Sequence, residues 1–163
     1  NDVPASVPDF PMSIIINTIP AKATFTKMPA KTDVVHYGKY LVNAASCMDC
    51  HTQFDKGNFI EGTEFGGGRA FPFPDGAVVT SANISPDPTG IGSWTEDMFL
   101  NRFRTNSDSA MMSRAINPGE YNSIMPWTMY ARMTEEDLKA IYAYLKTVKP
   151  QKNTVIKFTP AKK

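Results

Sequence analysis

Several features are scarce in this chain of 163 residues, and each absence narrows what the chain can be. The run Ile14–Ile16 is only three residues long, whereas a transmembrane helix needs about 20 apolar residues. No signal-peptide pattern is present. The net charge of +1 predicts no nucleic-acid partner. Cysteine and histidine, the residues that most often bind transition metals, occur twice each.

Both cysteines lie in one short motif, Cys47-Met48-Asp49-Cys50-His51. Two cysteines separated by two residues and followed directly by histidine have the spacing of a c-type haem attachment site. Each thiol can add to one vinyl group of the haem, and the histidine is then held close to the iron as an axial ligand. The motif therefore predicts one covalent haem c bound by Cys47, Cys50 and His51.

Other interpretations of the motif are a disulfide, a redox-active dithiol and half of a zinc site. Zinc would require two further Cys or His ligands, and beyond the two cysteines only His36 and His51 exist. A thioredoxin-like dithiol would have a βαβ context and need no histidine after the second cysteine. His36 is a rival axial ligand, although an exposed histidine on a helix is the more common case.

The chain divides into an arm, a domain and a tail. Residues 1–32 predict an extended arm, because prolines are spaced there too closely for a helix. These are Pro4, Pro8, Pro11, Pro20 and Pro29. The arm is either a tether, or a strap whose apolar residues from Pro11 to Ile19 cover the domain. Residues 33–150 are the expected domain, and the Lys-rich tail 151–163 is expected to be mobile.

The first and last helices of the domain have clear start signals. Asp33 is a good N-cap for the first. Gly38 within it costs helix propensity, which makes sense if another helix crosses closely there. Thr134 caps the last helix, whose first turn is acidic and complements the helix dipole. That helix is expected to end near Val148.

The segment between these helices contains many glycines and prolines, from Thr52 to Asp87, and predicts loops packed around a haem. Ala77–Thr80 is the one strand expected there. A backbone carbonyl of this segment should accept the proton on the free ring nitrogen of His51.

A middle helix, Trp94–Thr105, is predicted next. Ser93 and Glu96 have the spacing of a capping box. Met98 is expected to be buried with the phenylalanines of this helix. Arg104 or the indole N–H of Trp94 could hold a haem propionate, although a solvated arginine and a core tryptophan are equally ordinary outcomes.

A second chemical centre is Met125-Pro126-Trp127. A thioether is a soft, neutral sixth ligand that favours Fe(II), and Pro126 would stiffen the loop that carries it. The chain has nine methionines, and any of them could instead fill gaps in the core. Met111 and Met112, in a polar loop, are the main rivals of Met125.

A set of short segments between about residues 34 and 148 has a recognisable pattern. They are Tyr37–Leu41, Cys47–His51, Ala82–Asp87, Thr89–Trp94, Met125–Trp127, Thr134–Leu138 and Ala143–Leu145. As a set they resemble class I c-type cytochromes, and more closely the haem domains of multihaem cytochrome subunits that partner membrane-bound alcohol and aldehyde dehydrogenases. The resemblance implies an all-α cytochrome c fold with long loops and an extended N-terminal arm. It also implies that the first and last helices cross near Gly38, opposite Tyr144 or Leu145.

The same resemblance implies a function in electron transfer rather than catalysis. It assigns Met125 as the sixth ligand, so that His51 and Met125 would fill both axial sites of the haem. Apart from the resemblance, Asn83, Trp94 and Arg104 are further candidates for haem binding. Partner and substrate are not carried over from the related subunits, which carry several haems. The expected partners are redox proteins, such as a dehydrogenase or terminal oxidase, and the expected location is the bacterial periplasm or the outer face of the cytoplasmic membrane, where c-type haem is normally attached. The expectation is the mature form, or a trimmed piece, of an exported protein, for which a membrane tether upstream of residue 1 is one option.

This expectation has one departure and two alternatives. The related subunits carry several haems, whereas this chain has one attachment motif. A haem peroxidase or gas-binding sensor would need a labile sixth site and a distal base, for which only His36 is available. The chain could also be a domain or subunit of a larger oxidoreductase.

Overall fold

A computed structural model describes residues 7–18, 27–107, 115–117 and 119–161. Its helices are α1 Met12–Ile15, α2 Val34–Ala44, α3 Cys47–His51, α4 Glu96–Arg104, α5 Trp127–Tyr130 and α6 Glu135–Leu145, with a 3₁₀ turn at Ile16–Thr18. Its strands are β1 Phe54–Asp55, β2 Asn58–Phe59, β3 Ala70–Pro72, β4 Val78–Thr80 and β5 Phe158–Thr159. None of the helices in these ranges is long and apolar enough to cross a membrane.

The centre of the fold is the pair α2 and α6. The Asp33 carboxylate accepts a hydrogen bond from the N–H of His36 at the start of α2, and the Thr134 hydroxyl accepts one from the N–H of Asp137 at the start of α6. The helices meet at Gly38, where a Cβ would overlap the Ala140 carbonyl oxygen. The predicted crossing at this glycine is therefore confirmed.

The core lies between this helix pair and α4. It is one cluster of mostly aliphatic and aromatic side chains, made of Val42, Phe65, Ile91, Phe99, Leu100, Phe103, Leu138, Ile141 and Leu145. Val42 and Leu138 are completely buried. Burying apolar side chains of this size stabilises a fold by about 1.5–3 kcal/mol each, so these three helices carry most of the packing.

The all-α prediction is not confirmed, because five short strands lie among the helices. β1 and β2 form a hairpin, and β3, β4 and β5 form an antiparallel sheet with β4 in the middle. The expected strand at Ala77–Thr80 corresponds to β4. The others are two or three residues long, too short to produce a recognisable alternation of apolar and polar residues.

Three details of the predicted helices are corrected. α4 begins at Glu96 and is capped by Thr95, whose hydroxyl accepts the N–H of Met98, and not by Ser93. Met98 is 50% exposed and is not part of the core. The buried stripe of α4 is Phe99, Leu100 and Phe103, which places Met98 beside that stripe. The last helix ends at Leu145, earlier than predicted.

The expectation of a mobile tail is wrong for residues 151–161. β5 pairs with β4, with Phe158 opposite Val79. The backbone N–H of Gln151 donates to the Ser85 hydroxyl at 2.9 Å, and the Asn153 amide donates to the Gly66 carbonyl at 2.9 Å. The lysines that suggested mobility lie on a segment whose backbone and amide groups bind the domain.

The arm also differs from the prediction where it is described. Pro11 does not prevent α1, because a proline at the start of a helix lacks only an N–H that would be unpaired there. Residues 7–18 do not cover the domain with their apolar side chains: Phe10 is 80% exposed, and no residue of α1 is buried. Pro4 and Pro20 lie outside the described residues.

Candidate haem-binding site

The attachment motif forms a helix of its own. Ser46, with φ of 53°, takes the left-handed conformation and turns the chain from α2 into α3. α3 spans Cys47–His51, and the Asp49 N–H donates to the Ser46 carbonyl at 3.1 Å. Residues three apart on a helix share a face, so the two cysteines of the motif lie on the same side of α3.

Both thiols are free, with Cys47 partly buried and Cys50 exposed. Burial raises the pKa of the Cys47 thiol to about 11, so this thiol is protonated at neutral pH. Reactive dithiols depend on a lowered thiol pKa. The disulfide interpretation and the redox dithiol interpretation are therefore both disfavoured by the structure.

The His51 ring is held by the backbone of the glycine-rich segment. Its Nδ1–H donates to the Ala82 carbonyl at 2.7 Å, which identifies the backbone acceptor that the sequence could not specify. Burial lowers the pKa of His51, which favours the neutral ring. With the proton on Nδ1, the lone pair lies on Nε2, the nitrogen that can bind a metal.

Gly67 allows the backbone to approach His51 and Ala82 closely. Its N–H donates to the His51 carbonyl at 2.7 Å. Its φ is +68°, and a Cβ would lie 2.5 Å from the Ser81 carbonyl oxygen. Only glycine takes this conformation at this distance without strain. The Gly66–Gly68 run therefore serves packing behind His51.

Met125 lies partly buried against the core cluster, in the loop before α5. Its N–H donates to the Ser123 hydroxyl at 3.2 Å, and the indole N–H of Trp127 donates to the same oxygen at 3.1 Å. The guanidinium of Arg102 lies 4.4 Å from the centre of the Trp127 ring system. The loop is thus connected to α4 by stacking on Trp127.

The remaining methionines differ in their positions. Met129 is 71% exposed, while Met133 packs against the core cluster. Met111 and Met112, the rivals of Met125 as a ligand, lie outside the described residues.

Two of the predicted haem-binding residues have other partners. Asn83 is 6% exposed. Its amide N–H groups donate to the Thr89 hydroxyl at 3.0 Å and the Gln151 carbonyl at 2.6 Å, and its oxygen accepts from the Ser85 N–H. Arg104 lies 3.7 Å from the Glu135 carboxylate. Asn83 therefore anchors the tail, and Arg104 connects α4 to α6.

The surroundings of Trp94 and His36 show which of their alternative roles the structure favours. Trp94 packs partly buried against the core, and its carbonyl accepts the Tyr142 hydroxyl at 2.6 Å. His36 is exposed, with its ring nitrogen 2.9 Å from the Asp33 carboxylate. His36 thus lies at the outer face of α2 and is not a candidate for an axial ligand.

Two residues beside the motif were not predicted. Arg69 donates to the Asp49 carbonyl at 2.5 Å, and its guanidinium lies 4.2 Å from the centre of the Phe54 ring. The Tyr130 hydroxyl donates to the Ala45 carbonyl at 2.8 Å. In both contacts a side chain donates to a backbone carbonyl that is distant in sequence. A single sequence contains no pattern that predicts such a contact.

The donor set fits a covalently attached haem. Two unpaired thiols on one helix face and an imidazole with a fixed tautomer are what thioether attachment and axial ligation require. Within the described ranges, no group of three or more His, Cys, Asp and Glu residues could hold a metal ion. The zinc interpretation therefore has no support from the geometry.

α3 carries two free thiols and a histidine whose ring is oriented by a backbone carbonyl, and it follows directly on the crossed helix pair. This arrangement is typical of proteins that carry haem on a Cys-x-x-Cys-His segment. The family model of cytochrome c matches residues 35–149. The chain belongs to the cytochrome c family.

Similar curated proteins are cytochrome subunits of dehydrogenases. The chain is 36% identical over 129 residues to the fructose dehydrogenase cytochrome subunit of Gluconobacter japonicus, covering 77% of this chain and 24% of that protein. It is 34% identical to the cytochrome c subunit of alcohol dehydrogenase (quinone) of Gluconacetobacter polyoxogenes, covering 74% and 23%. It is 33% identical to the gluconate 2-dehydrogenase cytochrome c subunit of Pantoea cypripedii, covering 82% and 27%.

The chain thus spans about a quarter of the length of these relatives. The predicted resemblance to dehydrogenase cytochrome subunits is confirmed. The prediction of an electron-transfer cytochrome, as opposed to a catalytic enzyme, is confirmed at the level of the family.

Proposed function

We propose that this domain transfers single electrons by means of one haem c, attached at Cys47 and Cys50 and ligated by His51 and Met125. The observation that carries the proposal is the state of α3: both thiols are unpaired, and the His51 Nδ1–H is bound to the Ala82 carbonyl. When bound, the haem supplies a one-electron Fe(III)/Fe(II) couple.

The chain's own residues have distinct tasks in this proposal. The Ala82 carbonyl holds the His51 ring in one orientation and tautomer, which keeps Nε2 available. Met125 offers a soft, neutral sulfur that favours the reduced iron. If His51 and Met125 both bound the iron of the haem, they would exclude outside ligands and leave only outer-sphere electron transfer. Since His36 pairs with Asp33 at the surface, no histidine is available as the distal base that a peroxidase or sensor would need.

The donor in this proposal is a dehydrogenase subunit, by analogy with the relatives, and the acceptor is a further membrane or periplasmic redox protein such as a terminal oxidase. The location is the bacterial periplasm or the outer face of the cytoplasmic membrane, where c-type haem is normally attached. Contact with such partners would be small and short-lived, as is usual for electron transfer.

Attachment is tested by mass and extraction. The intact holoprotein should exceed the mass of the polypeptide by one haem, and acid-acetone should leave the haem on the chain. Cys50→Ala should weaken or abolish maturation, because one thioether is lost and His51 is displaced. Haem released from the parent protein by extraction would contradict covalent attachment.

Ligation is tested by absorbance. The ferric parent should show the weak long-wavelength band expected of a haem with a methionine ligand, and Met125→Ala should lose it and lower the reduction potential. Reduced Met125→Ala should bind carbon monoxide readily and the reduced parent poorly. Met129→Ala is the matched control, since its side chain is exposed in the same region. If Met111→Ala or Met112→Ala loses the band instead, the ligand assignment is wrong.

A further inference from the structure

The two proposed axial ligands belong to separate parts of the chain. His51 ends α3, and Met125 lies in the loop that leads into α5. A thioether binds iron weakly compared with an anionic ligand, so the sixth position would stay closed only if the Met125 loop keeps a fixed position relative to α3. The contacts between the Met125 loop and the α3 region therefore determine how easily an outside ligand would reach the sixth position.

The loop that carries Met125 behaves as one unit. The Ser123 hydroxyl oxygen accepts from the N–H of Met125 and from the indole of Trp127. The N–H of Trp127 also donates to the Met125 carbonyl at 2.8 Å. These three hydrogen bonds connect residues no more than four apart, so they stiffen the unit but do not fix its position relative to α3.

One hydrogen bond connects this unit directly to the α3 side. Tyr130, the last residue of α5, donates its hydroxyl to the Ala45 carbonyl at 2.8 Å, across 85 residues of sequence. Ala45 directly precedes Ser46, the left-handed residue that turns the chain into α3. The Tyr130 ring also packs against the core cluster. The hydroxyl therefore adds a directional contact to a ring that is already held by packing.

We propose that Tyr130 is a positioning residue for the sixth ligand: its hydrogen bond to the Ala45 carbonyl keeps the Met125 loop at a fixed position relative to the helix that carries His51. This inference rests on the proposed ligation by Met125. Loss of the hydroxyl would let the loop separate from α3 more often while the core packing is retained. The consequence is faster access of outside ligands to the sixth position.

The test compares Tyr130→Phe with Tyr142→Phe in the holoprotein. Both variants lose one phenol-to-carbonyl hydrogen bond, since the Tyr142 hydroxyl donates to the Trp94 carbonyl at 2.6 Å, and both keep the ring. The rate of carbon monoxide binding to the ferrous protein and the affinity of imidazole for the ferric protein are measured. Tyr130→Phe should increase both by about five- to tenfold, the size of effect expected from one hydrogen bond.

The control should behave differently. Tyr142→Phe should lower the melting temperature by a similar amount and leave both ligand-binding measurements at the parent's values. Equal values in Tyr130→Phe and the parent would overturn the inference, as would an equal increase in both variants. If Tyr130→Phe does not mature, Tyr130→Leu takes its place: it also removes the hydroxyl from the Ala45 carbonyl and keeps an apolar side chain against the core, and unchanged ligand binding in it would also overturn the inference.

Failure of the positioning role and failure of the proposed ligation are distinguishable. If the parent lacks the long-wavelength band and binds carbon monoxide quickly, then Met125 is not the ligand and both proposals fail. If the parent shows the band and binds carbon monoxide slowly, but Tyr130→Phe matches it, then only the role of Tyr130 is wrong.

Discussion

Asp137 is the ionisable residue with the most direct effect on the α2–α6 pair. Its carboxylate accepts the Tyr37 hydroxyl at 2.7 Å and lies 3.8 Å from the Lys31 ammonium. Burial raises the pKa of this carboxyl, but hydrogen bonds from Thr134 and Tyr37 and the charge of Lys31 together outweigh burial and lower it below the ordinary value of 3.8.

The direction of this shift predicts how stability depends on pH. Because the folded carboxyl binds a proton less readily than the unfolded one, its contribution is complete above about pH 5 and is lost as the pH falls through 4 and below. Asp137→Asn should lower the free energy of unfolding at pH 7 and flatten its decline between pH 5 and pH 3, measured by guanidinium titration. Tyr37→Phe should give part of the same effect. An unchanged acid limb in Asp137→Asn would contradict this.

At the same scale, the residues of the haem site divide into those that the sequence could reveal and those that it could not. The two cysteines and His51 follow from spacing alone, because their chemistry requires it. Asn83 was predicted as a haem contact, yet its partners include Gln151, 68 positions away. Because the fold creates that contact, no local pattern could indicate it.

At the scale of elements, the α2–α6 crossing limits what can replace Gly38. A methyl group there would overlap a backbone carbonyl, that of Ala140, and would lie 3.0 Å from the Cβ of Tyr144. A backbone group cannot rotate away as a side-chain end can, so the helices would have to separate. The cost of such overpacking is about 3 kcal/mol, offset by about 1 kcal/mol from the better helix propensity of alanine.

Gly38→Ala should therefore lower the free energy of unfolding by about 2 kcal/mol, measured by denaturant titration of the holoprotein. Lys39→Ala is the matched control, because Lys39 follows Gly38 on α2 and is exposed. It should change stability by less than about 0.5 kcal/mol. Equal stability of Gly38→Ala and the parent would show that the helices can separate without loss.

The helices and strands also show which parts of the fold are determined by residues that are close in sequence. α2 and α6 begin where Asp33 and Thr134 predicted, because an N-cap acts on the N–H groups within the next turn. The strands were missed, apart from β4, because short strands depend on their partners. β5 pairs with β4 across about 80 residues, with Val79 opposite Phe158, so its existence depends on the completed fold.

At the scale of the whole molecule, the two ends of the chain differ in how they contact the domain: the tail binds it, and residues 7–18 do not pack their apolar side chains on it. Residues 151–161 contribute β5 and bind the loop beside His51. The Asn153 amide donates to the Gly66 carbonyl, and the N–H of the adjacent Gly67 donates to the His51 carbonyl. The Thr80 N–H also donates to the Lys157 carbonyl at 3.0 Å. Residues 7–18 make most of their contacts among themselves, and their apolar side chains are exposed. Composition predicted a mobile, lysine-rich tail, and it left open whether the arm is a tether or a strap that covers the core.

This contrast predicts different outcomes for two truncations of the holoprotein. Removing the residues after Pro150 deletes β5 and several hydrogen bonds at about 1 kcal/mol each. The melting temperature should fall by about 5–10 °C, measured by circular dichroism. Removing the residues before Lys27 retains the ion pair between Lys31 and Glu136 and should change the melting temperature by less than about 2 °C. If the second truncation lowered it as much as the first, the arm would have to be part of the folded domain, and the exposed apolar residues of α1 would need a partner within this chain.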